Sequence, residues 1–351
     1  MRRDGMPEKI TSDGSEANAA AIKRYDKGYG IVEISVGCDG RNPVPQLIDQ
    51  VRTAEAAGAT AFWVSSHLFL RDPFTMAGAV LAATTRARVT LLALSPYVLH
   101  PVHMAMAAAT LDELAPGRVM LCIGAGAPDD LVAAGVEPTR RVRTLHETID
   151  VTRALLAGEQ VTYQGAVFRI QARRLALTPQ PIPIVLAASG IQTLALAGAV
   201  ADGVVLSTGA SVEFVRWSLD HVERGAKGRP IRRTGLVYAA AAVWREVALG
   251  RYRRNLAITL RGDHHARNVA VAGGILDHTA LRQAVAEEDW ARAEHLMTDD
   301  LVRRHTATGT PDEMRARLAA YHAAGLDELV LQGLSTPAET AATLHTALGV
   351  P

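Results

Sequence analysis

A run of small residues joins an apolar segment to a helical pattern at 184–193, IVLAASGIQT. A phosphate group would fit at this junction, since Gly190 permits close backbone approach and the amides of Ile191–Thr193 would meet the anion at the positive end of the helix dipole. The alternative is a tight turn in which Ser189 caps the helix. The candidate phosphate contacts are Ala188, Ser189, Gly190, Ile191, Gln192 and Thr193.

Imidazole, carboxyl and hydroxyl groups follow several other apolar runs. His67 offers an imidazole for general acid chemistry or for hydrogen bonding to a substrate. Asp39 is a candidate acid, although an aspartate before glycine is also a common turn former. Ser95 precedes a proline, and its hydroxyl could either contact a ligand or stabilise a turn. Ser207 and Thr208 could contact phosphate or ligand hydroxyl oxygens.

The glycines Gly124 and Gly126 also end an apolar run. They do not form a dinucleotide-binding fingerprint, because the third glycine and the acidic partner are missing. Small residues here would form a low surface on which a flat ring could lie, and a tight turn is equally compatible. The candidates as a set are small and hydroxyl-rich, with few charges and no cluster of metal ligands. This composition favours a large, flat cofactor over a metal.

Eight short apolar runs must position these residues, and each is predicted to be a buried strand. They cover 29–37, 60–66, 88–95, 118–124, 182–189, 202–208, 235–244 and 327–333. Helical patterns fill the gaps, for example at 310–325, where Thr310 and Glu313 form a capping box and Gly325 is the expected stop. Strands alternating with helices predict an α/β fold, a (β/α)8 TIM barrel with its chemistry at the carboxyl ends of the strands.

The chain of 351 residues exceeds a plain barrel of about 250 residues, so insertions are expected. A hairpin is predicted at 159–170, with a turn at Gln164-Gly165. A helix-rich insertion is predicted at about 247–305, between the seventh and eighth strands. Residues 1–27 are polar and are predicted to form a flexible tail, which leaves 28–351 as one barrel domain.

Composition indicates which classes of binding partner and which cellular location to expect. With a formal net charge of +1, the chain has no electrostatic signature of nucleic-acid or acidic-membrane binding. Apolar runs stay below the ~20 residues of a membrane span, and no apolar segment follows the basic N-terminus as in a signal peptide. Cys38 and Cys122 stand in apolar runs, which favours buried thiols and a cytoplasmic location over disulfides or a thiolate metal site.

Three segments, in this order, resemble the bacterial luciferase-like oxidoreductases. They are SSHLFLRDPF, LSPYVLHPVHMAMAAATLDELAPGRVMLCIGAGAP and IPIVLAASGIQTLALAGAVADGVVLSTGAS. Within that superfamily the chain is most similar to the coenzyme F-420-dependent methylenetetrahydromethanopterin reductases, from about Gly28 to Leu348. The resemblance implies a TIM barrel, a deazaflavin or FMN cofactor, and a homodimer. It also implies that the turn at 188–193 approaches the cofactor phosphate.

The resemblance implies roles for further residues. His67 would donate to the ring or the substrate, Asp39 stands where some deazaflavin enzymes place a catalytic acid, and Ser95 would face the ring edge in place of the usual asparagine. A cis peptide bond with a bulge that backs the ring is implied between Leu92 and Ala93, with a regular trans strand as the alternative.

The chain departs from the family pattern at three of these places. Leu92 stands where the family often has glycine, Ser66 precedes His67 where an aspartate is typical, and Ala127 replaces an acidic residue of the reductases.

Three functional hypotheses follow. The first is reversible hydride transfer between coenzyme F-420 and a small organic substrate, with the protein supplying binding, orientation and shielding from water. The second is an FMN-dependent monooxygenase that uses reduced flavin and oxygen. The third is a non-catalytic barrel that binds a small ligand, consistent with the scarcity of firm acid or base residues.

Overall fold

Parallel strands form the framework of the computed structural model, which describes residues 33–350. The strands in this range are β1 (Glu33–Cys38), β2 (Ala61–Ser65), β3 (Arg88–Leu94), β4 (Val119–Ile123), β5 (Val161–Gln164), β6 (Arg169–Arg173), β7 (Ile184–Ala187), β8 (Gly203–Leu206), β9 (Arg232–Ala241), β10 (Ala307–Gly309) and β11 (Glu328–Gln332). Eight of them pair in the order β1-β2-β3-β4-β7-β8-β9-β11, and β11 pairs back onto β1. This closed parallel barrel confirms the predicted fold.

Helices cover the outside of the barrel and fill the longer connections. They are α1 (Val44–Ala56), α2 (Pro73–Ala83), α3 (Pro101–Leu114), α4 (Pro128–Ala133), α5 (Arg141–Leu156), α6 (Ile191–Val200), α7 (Val212–Ala226), α8 (Arg245–Gly250), α9 (Arg253–Leu260), α10 (Ala266–Val271), α11 (His278–Ala286), α12 (Trp290–Leu296), α13 (Asp299–His305), α14 (Pro311–Ala323) and α15 (Pro337–Leu348). Proline stands in the first turn of several of them, where its missing amide hydrogen costs nothing.

The predicted strand and helix boundaries agree with the structure within a few residues. The largest shift is in β9, which begins at Arg232 rather than at residue 235. The capping box of α14 is present, with Thr310 and Glu313 each bonded to the other's backbone amide. The predicted tail at 1–27, and residues 29–32 of the first predicted strand, lie outside the described residues.

Two segments depart from a plain barrel. β5 and β6 form the predicted hairpin, but Gln164 pairs with Arg169 and Gly165 bonds to Phe168, so the turn lies two residues later than expected. The carboxylate of Glu147 fixes that turn by accepting hydrogen bonds from the amides at 166–168. Between β9 and β10, helices α8 to α13 surround a separate apolar cluster that includes Leu256 and Leu281.

Strand β3 contains a local irregularity at the position where a cis peptide was predicted. Peptide bonds are trans throughout residues 33–350, so the prediction of a cis bond between Leu92 and Ala93 is wrong. The bulge expected with it is present, because the pairing of β3 with β4 shifts between Leu91 and Leu94. These two leucines pack in the outer core, whereas Leu92 and Ala93 pack against the barrel interior. One extra residue in a bulge redirects side chains through φ and ψ alone, so no cis bond is needed.

The barrel interior is filled in layers. Its middle layer is apolar and includes Trp63, Leu92, Cys122, Val205 and Val330. Cys122 and Cys38 are free and buried, as predicted. Because side chains alternate along a regular strand, residues two positions further on toward the carboxyl ends also point inward, except in β3, where the bulge turns Ala93 inward instead of Leu94. They form the layer at the barrel mouth, where the candidate site lies.

Candidate functional site

Small residues form the floor of the mouth on the side of β3, β4 and β7. A Cβ atom added to Gly124 would lie 2.8 Å from the Cβ of Ala93 and 3.3 Å from that of Ala187. A side chain at position 124 would therefore collide with Ala93 and crowd Ala187, which explains the glycine. Ala93 and Ala187 are only partly buried, so the floor is low and open from above. This arrangement supports the hypothesis that a flat ring lies here.

Ser95 ties the end of β3 to the loop after β4. Its hydroxyl is buried and donates to the carbonyl of Ala125 at 3.0 Å. A Cβ atom on Gly126 would lie 3.1 Å from that hydroxyl oxygen, and Gly126 has a φ of +88°, which other residues rarely adopt. The contacts of Ser95 thus favour the turn-stabilising interpretation over a direct catalytic role.

His67 has a carboxylate neighbour that the sequence did not reveal. Its Nδ1 lies 3.8 Å from Oδ2 of Asp130, and its side chain is 48% exposed. Asp130 belongs to the first turn of α4. Asp130 borders a depression at the rim, together with Ser66, Leu68, Ser95, Val98, Gly126, Ala127 and Leu131. Asp130 therefore places a carboxylate within ion-pair distance of the imidazole, at the mouth where the family typically has an aspartate at position 66. The acidic pair that follows Pro128 was the available sequence signal.

Asp39 participates in a turn after β1. Its carboxylate accepts a hydrogen bond from the amide of Arg41 at 3.0 Å and contacts Nη1 of the same arginine at 2.6 Å. Arg71 donates in turn to the carbonyls of Gly40 and Arg41. These local contacts match the turn-former interpretation of Asp39 and occupy its carboxylate with a cation.

The N-terminus of α6 is open to solvent. Its N-cap residue is Gly190, no side chain caps it, and no acidic residue stands in its first turn. The alternative in which Ser189 caps the helix is therefore wrong. Gly190, Ile191 and Gln192 are exposed, while the hydroxyl of Thr193 donates to the carbonyl of Gly190 at 3.0 Å. The first amides of this ten-residue helix remain available for an anion.

The loop after β8 lies beside this helix end and carries Ser207 and Thr208. The Ser207 hydroxyl oxygen is buried and has no hydrogen-bond partner in the described part of the chain. An unpartnered buried hydroxyl costs about 1–3 kcal/mol. A ligand oxygen that accepts from Ser207 would remove this penalty, which supports its predicted role.

Two residues of the helical insertion and one of α14 form hydrogen bonds to the loop after β8. Asn268 donates to the carbonyl of Gly209 at 2.7 Å and accepts from the amide of Ser211 at 3.0 Å. His305 Nδ1 donates to the Gly209 carbonyl at 2.8 Å. Tyr321 donates to the next carbonyl, that of Ala210, at 2.7 Å. Sequence reasoning missed these three residues, because they lie far along the chain from the loop that they position.

Burial controls the protonation of His305. It lowers the pKa of this imidazole to about 4, although the hydrogen bond to Gly209 acts in the opposite direction. The neutral ring therefore predominates at pH 7, with its proton on Nδ1, where the carbonyl accepts it. His305 thus positions the loop without adding a charge near the mouth.

The mouth as a whole fits a flat ring that carries a phosphate-bearing chain. The small floor would accommodate the ring, and the N-terminus of α6 with Ser207 would bind the anion. Within residues 33–350 no three His, Cys, Asp or Glu side chains are grouped so as to hold a metal ion. In the same range, no helix combines the length and apolarity needed to cross a membrane.

Comparisons with known proteins identify relatives of the whole chain and of its fold. The chain is 25% identical over 291 residues to a 5,10-methylenetetrahydromethanopterin reductase of Archaeoglobus fulgidus. The matched region covers 80% of this chain and 87% of the relative. It is 26% identical over 309 residues to an F-420-dependent glucose-6-phosphate dehydrogenase of Amycolatopsis mediterranei, covering 82% and 88%. The structure of the coenzyme F-420-dependent tetrahydromethanopterin reductase from Methanopyrus kandleri superposes with a TM-score of 0.82 at 19% identity, covering 90% of this chain and 98% of the other.

The family assignment follows from a match to a family model over most of the chain. The model for luciferase-like monooxygenases matches residues 28–328, which include the barrel strands from β1 to β9, the first residue of β11 and the candidate residues from Asp39 to Thr208. The predicted resemblance is thereby confirmed, and the chain belongs to the luciferase-like monooxygenase family.

Proposed function

We propose that this protein transfers hydride between coenzyme F-420 and a small organic substrate bound at the barrel mouth. The main structural support is the uncapped N-terminus of α6, which lies beside a floor made of the small residues Ala93, Gly124 and Ala187. The names of the two curated relatives support the choice of cofactor, since one is F-420-dependent and the other is a methanopterin reductase. When bound, F-420 supplies hydride chemistry at C5 of its ring.

Each part of the mouth has a role in this proposal. The amides of Ile191–Thr193 and the hydroxyls of Ser207, Thr208 and Ser189 bind the phosphate. Leu92, and Ala93, which the bulge in β3 turns inward, back the ring together with Gly124. His67, oriented by Asp130, exchanges a proton with the substrate from the rim.

An FMN-dependent monooxygenase is the second candidate, favoured by the description of the family itself. The same phosphate contacts would serve FMN, and the low floor would equally accommodate its ring. The mouth differs from a buried catalytic pocket because His67 is half exposed. We expect oxygen chemistry to need a further closure over the mouth to exclude water, and this requirement places F-420 first.

The remaining assignments rest on the family resemblance and on composition. The proposed substrate is a small organic molecule, the proposed assembly is a homodimer, and the proposed location is the cytoplasm. A partner helix could cover Met106 and Leu114 of α3, which are large apolar side chains exposed on the barrel surface. Size-exclusion chromatography with light scattering would test the assembly directly.

The deciding experiment is a titration of the purified protein with F-420 and with FMN, followed by absorbance and fluorescence. We expect F-420 to bind more tightly, and its advantage to shrink as salt rises, because its lactyl-glutamyl tail is anionic. Tight FMN binding, with oxygen consumption in the presence of NADH-reduced FMN, would reverse the order of the two candidates. Retained binding with no turnover on any tested substrate would favour a ligand-binding barrel.

A further inference from the structure

The carboxamide of Gln332 is a buried polar group at the barrel mouth that none of the functions above employs. Gln332 ends β11, and only 8% of the residue is exposed. Its side chain points inward, since Glu328 and Val330, at alternate positions of the same strand, both contact the barrel interior. The Nε2 atom is buried and has no hydrogen-bond partner among residues 33–350.

A glycine on the neighbouring strand makes room for this amide. A Cβ atom added to Gly37 would lie 2.2 Å from Nε2 of Gln332 and 2.4 Å from its carbonyl carbon. Any other residue at position 37 would therefore displace the amide from the mouth. Gly37 is not in the left-handed region of φ, so its backbone conformation does not require glycine. The space that it leaves for Gln332 is the physical reason for the glycine.

The order of the strands places this amide across the barrel from the proposed phosphate site. In the ring β1-β2-β3-β4-β7-β8-β9-β11, the strand opposite β7 is β1, and β11 is adjacent to β1. Gly190 follows β7, while Gly37 and Gln332 end β1 and β11. A long ligand with its phosphate at Gly190 would therefore extend toward Gln332 if it lay across the mouth.

A primary amide offers two donors and an acceptor. The outer edge of a flavin or deazaflavin pyrimidine ring is an imide, with an N–H between two carbonyl groups. The two edges are complementary, because the amide can donate to a ring carbonyl while it accepts from the ring N–H. An aliphatic substrate without such an edge would leave part of this capacity unused.

We propose that Gln332 recognises the imide edge of the cofactor ring, and that Gly37 keeps its carboxamide at the mouth. The inference rests on the proposed function, in that it assumes a ring cofactor anchored at Gly190. The unpartnered amide is then a cost to the free protein that cofactor binding removes. The same residue should therefore act in opposite directions on stability and on binding.

The first test is Gln332→Met, which preserves length and removes both hydrogen-bonding functions. We expect the cofactor-free variant to melt at the same temperature as the wild type or higher, because no buried polar group is left without a partner. In the same titrations, its dissociation constant for F-420 or FMN should rise about tenfold, the scale of one or two lost hydrogen bonds. Gln283→Met, on the exposed face of α11, is the matched control and should change neither measurement.

Gly37→Ala provides an independent test, because it displaces the amide without removing it. We expect it to weaken cofactor binding about as much as Gln332→Met does. The double variant should bind no more weakly than either single variant, since both changes remove the same interaction. Additive losses in the double variant would overturn the link between the two residues.

Two further results separate this inference from the proposed function. If Gly190→Val weakens binding while Gln332→Met leaves cofactor affinity and the bound absorbance spectrum unchanged, the role of Gln332 is wrong and the phosphate site stands. If Gln332→Met raises only the substrate KM, the amide contacts the substrate and the inference is overturned. If the wild type binds neither cofactor, the proposed function itself fails.

Discussion

Buried polar groups at the two ends of the barrel can be compared through Glu328 at the amino end and through Ser207 and Gln332 at the carboxyl end. At the amino ends of the strands, the fully buried carboxylate of Glu328 accepts from Ser35 at 2.5 Å, from Trp63 Nε1 at 2.9 Å and from Arg232 at 3.1 Å. At the carboxyl ends, the hydroxyl of Ser207 and the amide nitrogen of Gln332 are buried without a partner in the described residues. The contacts at the amino end contribute to folding stability, whereas the unpartnered groups at the carboxyl end are the ones that we propose bind a ligand.

Charge compensation explains why the amino end tolerates an ionised group. Burial alone would raise the pKa of Glu328, but Arg232, Arg88 and the donors Ser35 and Trp63 lower it overall. Glu33 contacts both of these arginines and completes the network. A buried charge with several partners is strongly coupled to the fold, so its removal should affect stability and not cofactor recognition.

The largest effect is expected from Glu328→Ala. Leaving Arg232 and Trp63 without their buried acceptor should lower the free energy of unfolding by about 3–5 kcal/mol. Urea denaturation followed by circular dichroism would measure it, with Asp312→Ala, on the exposed face of α14, as a control that should cost little. A loss below about 1 kcal/mol would contradict the structural role assigned to this end.

The second effect concerns pH and His305. Its folded pKa of about 4 lies below the ordinary value of 6.5, so the stability that its neutral form contributes is full above pH 6.5 and is lost as the pH falls toward 4. The slope should approach about 1 kcal/mol per pH unit within that window. His305→Asn keeps a donor for Gly209 and cannot titrate, so its unfolding free energy should vary less between pH 6.5 and 4. An unchanged slope would show that another group titrates there.

The third prediction tests the mouth directly. Gly190→Val should weaken cofactor binding by about 2 kcal/mol or more, the scale of lost charge-assisted hydrogen bonds at the helix end. The fold should be unaffected, since an added Cβ would meet only the Thr193 hydroxyl at 3.7 Å. Gly250→Val, at the exposed end of α8, is the matched control. If the folded Gly190→Val variant binds the cofactor with unchanged affinity, the assignment of the phosphate to this site is wrong.

The smallest effect is expected from Asp130→Asn. Because the contact with His67 is partly exposed, its loss should cost about 0.2–1 kcal/mol, seen as a severalfold fall in turnover with unchanged cofactor affinity. His67→Gln should reduce turnover further, because it removes the proton-exchanging group itself. Steady-state rates measured across pH 5–8 would distinguish the effect of Asp130→Asn from that of His67→Gln. If the wild type, Asp130→Asn and His67→Gln turn over at equal rates, His67 has a structural role only.

Local chemistry was enough to determine most of the framework. Continuous apolar runs specify strands that are covered on both faces, and the capping box at Thr310 marks the start of α14. The small residues at 187–190 required a tight strand-to-helix junction, and the structure has one. These features depend on neighbours within a few positions, so the sequence contains their physical cause.

Only the tertiary structure decided how the site is completed. Asp130 approaches His67 from the first turn of α4, and His305 is hydrogen-bonded to Gly209 across 96 positions of the chain. The inward turn of Ala93 came from a bulge with trans peptides, where the family pattern implied a cis bond. Gln332 carried no sequence signal, because a glutamine at the end of a strand is unremarkable until barrel closure places it over Gly37. Such contacts depend on strand register and barrel closure, which bring together side chains that share no local pattern.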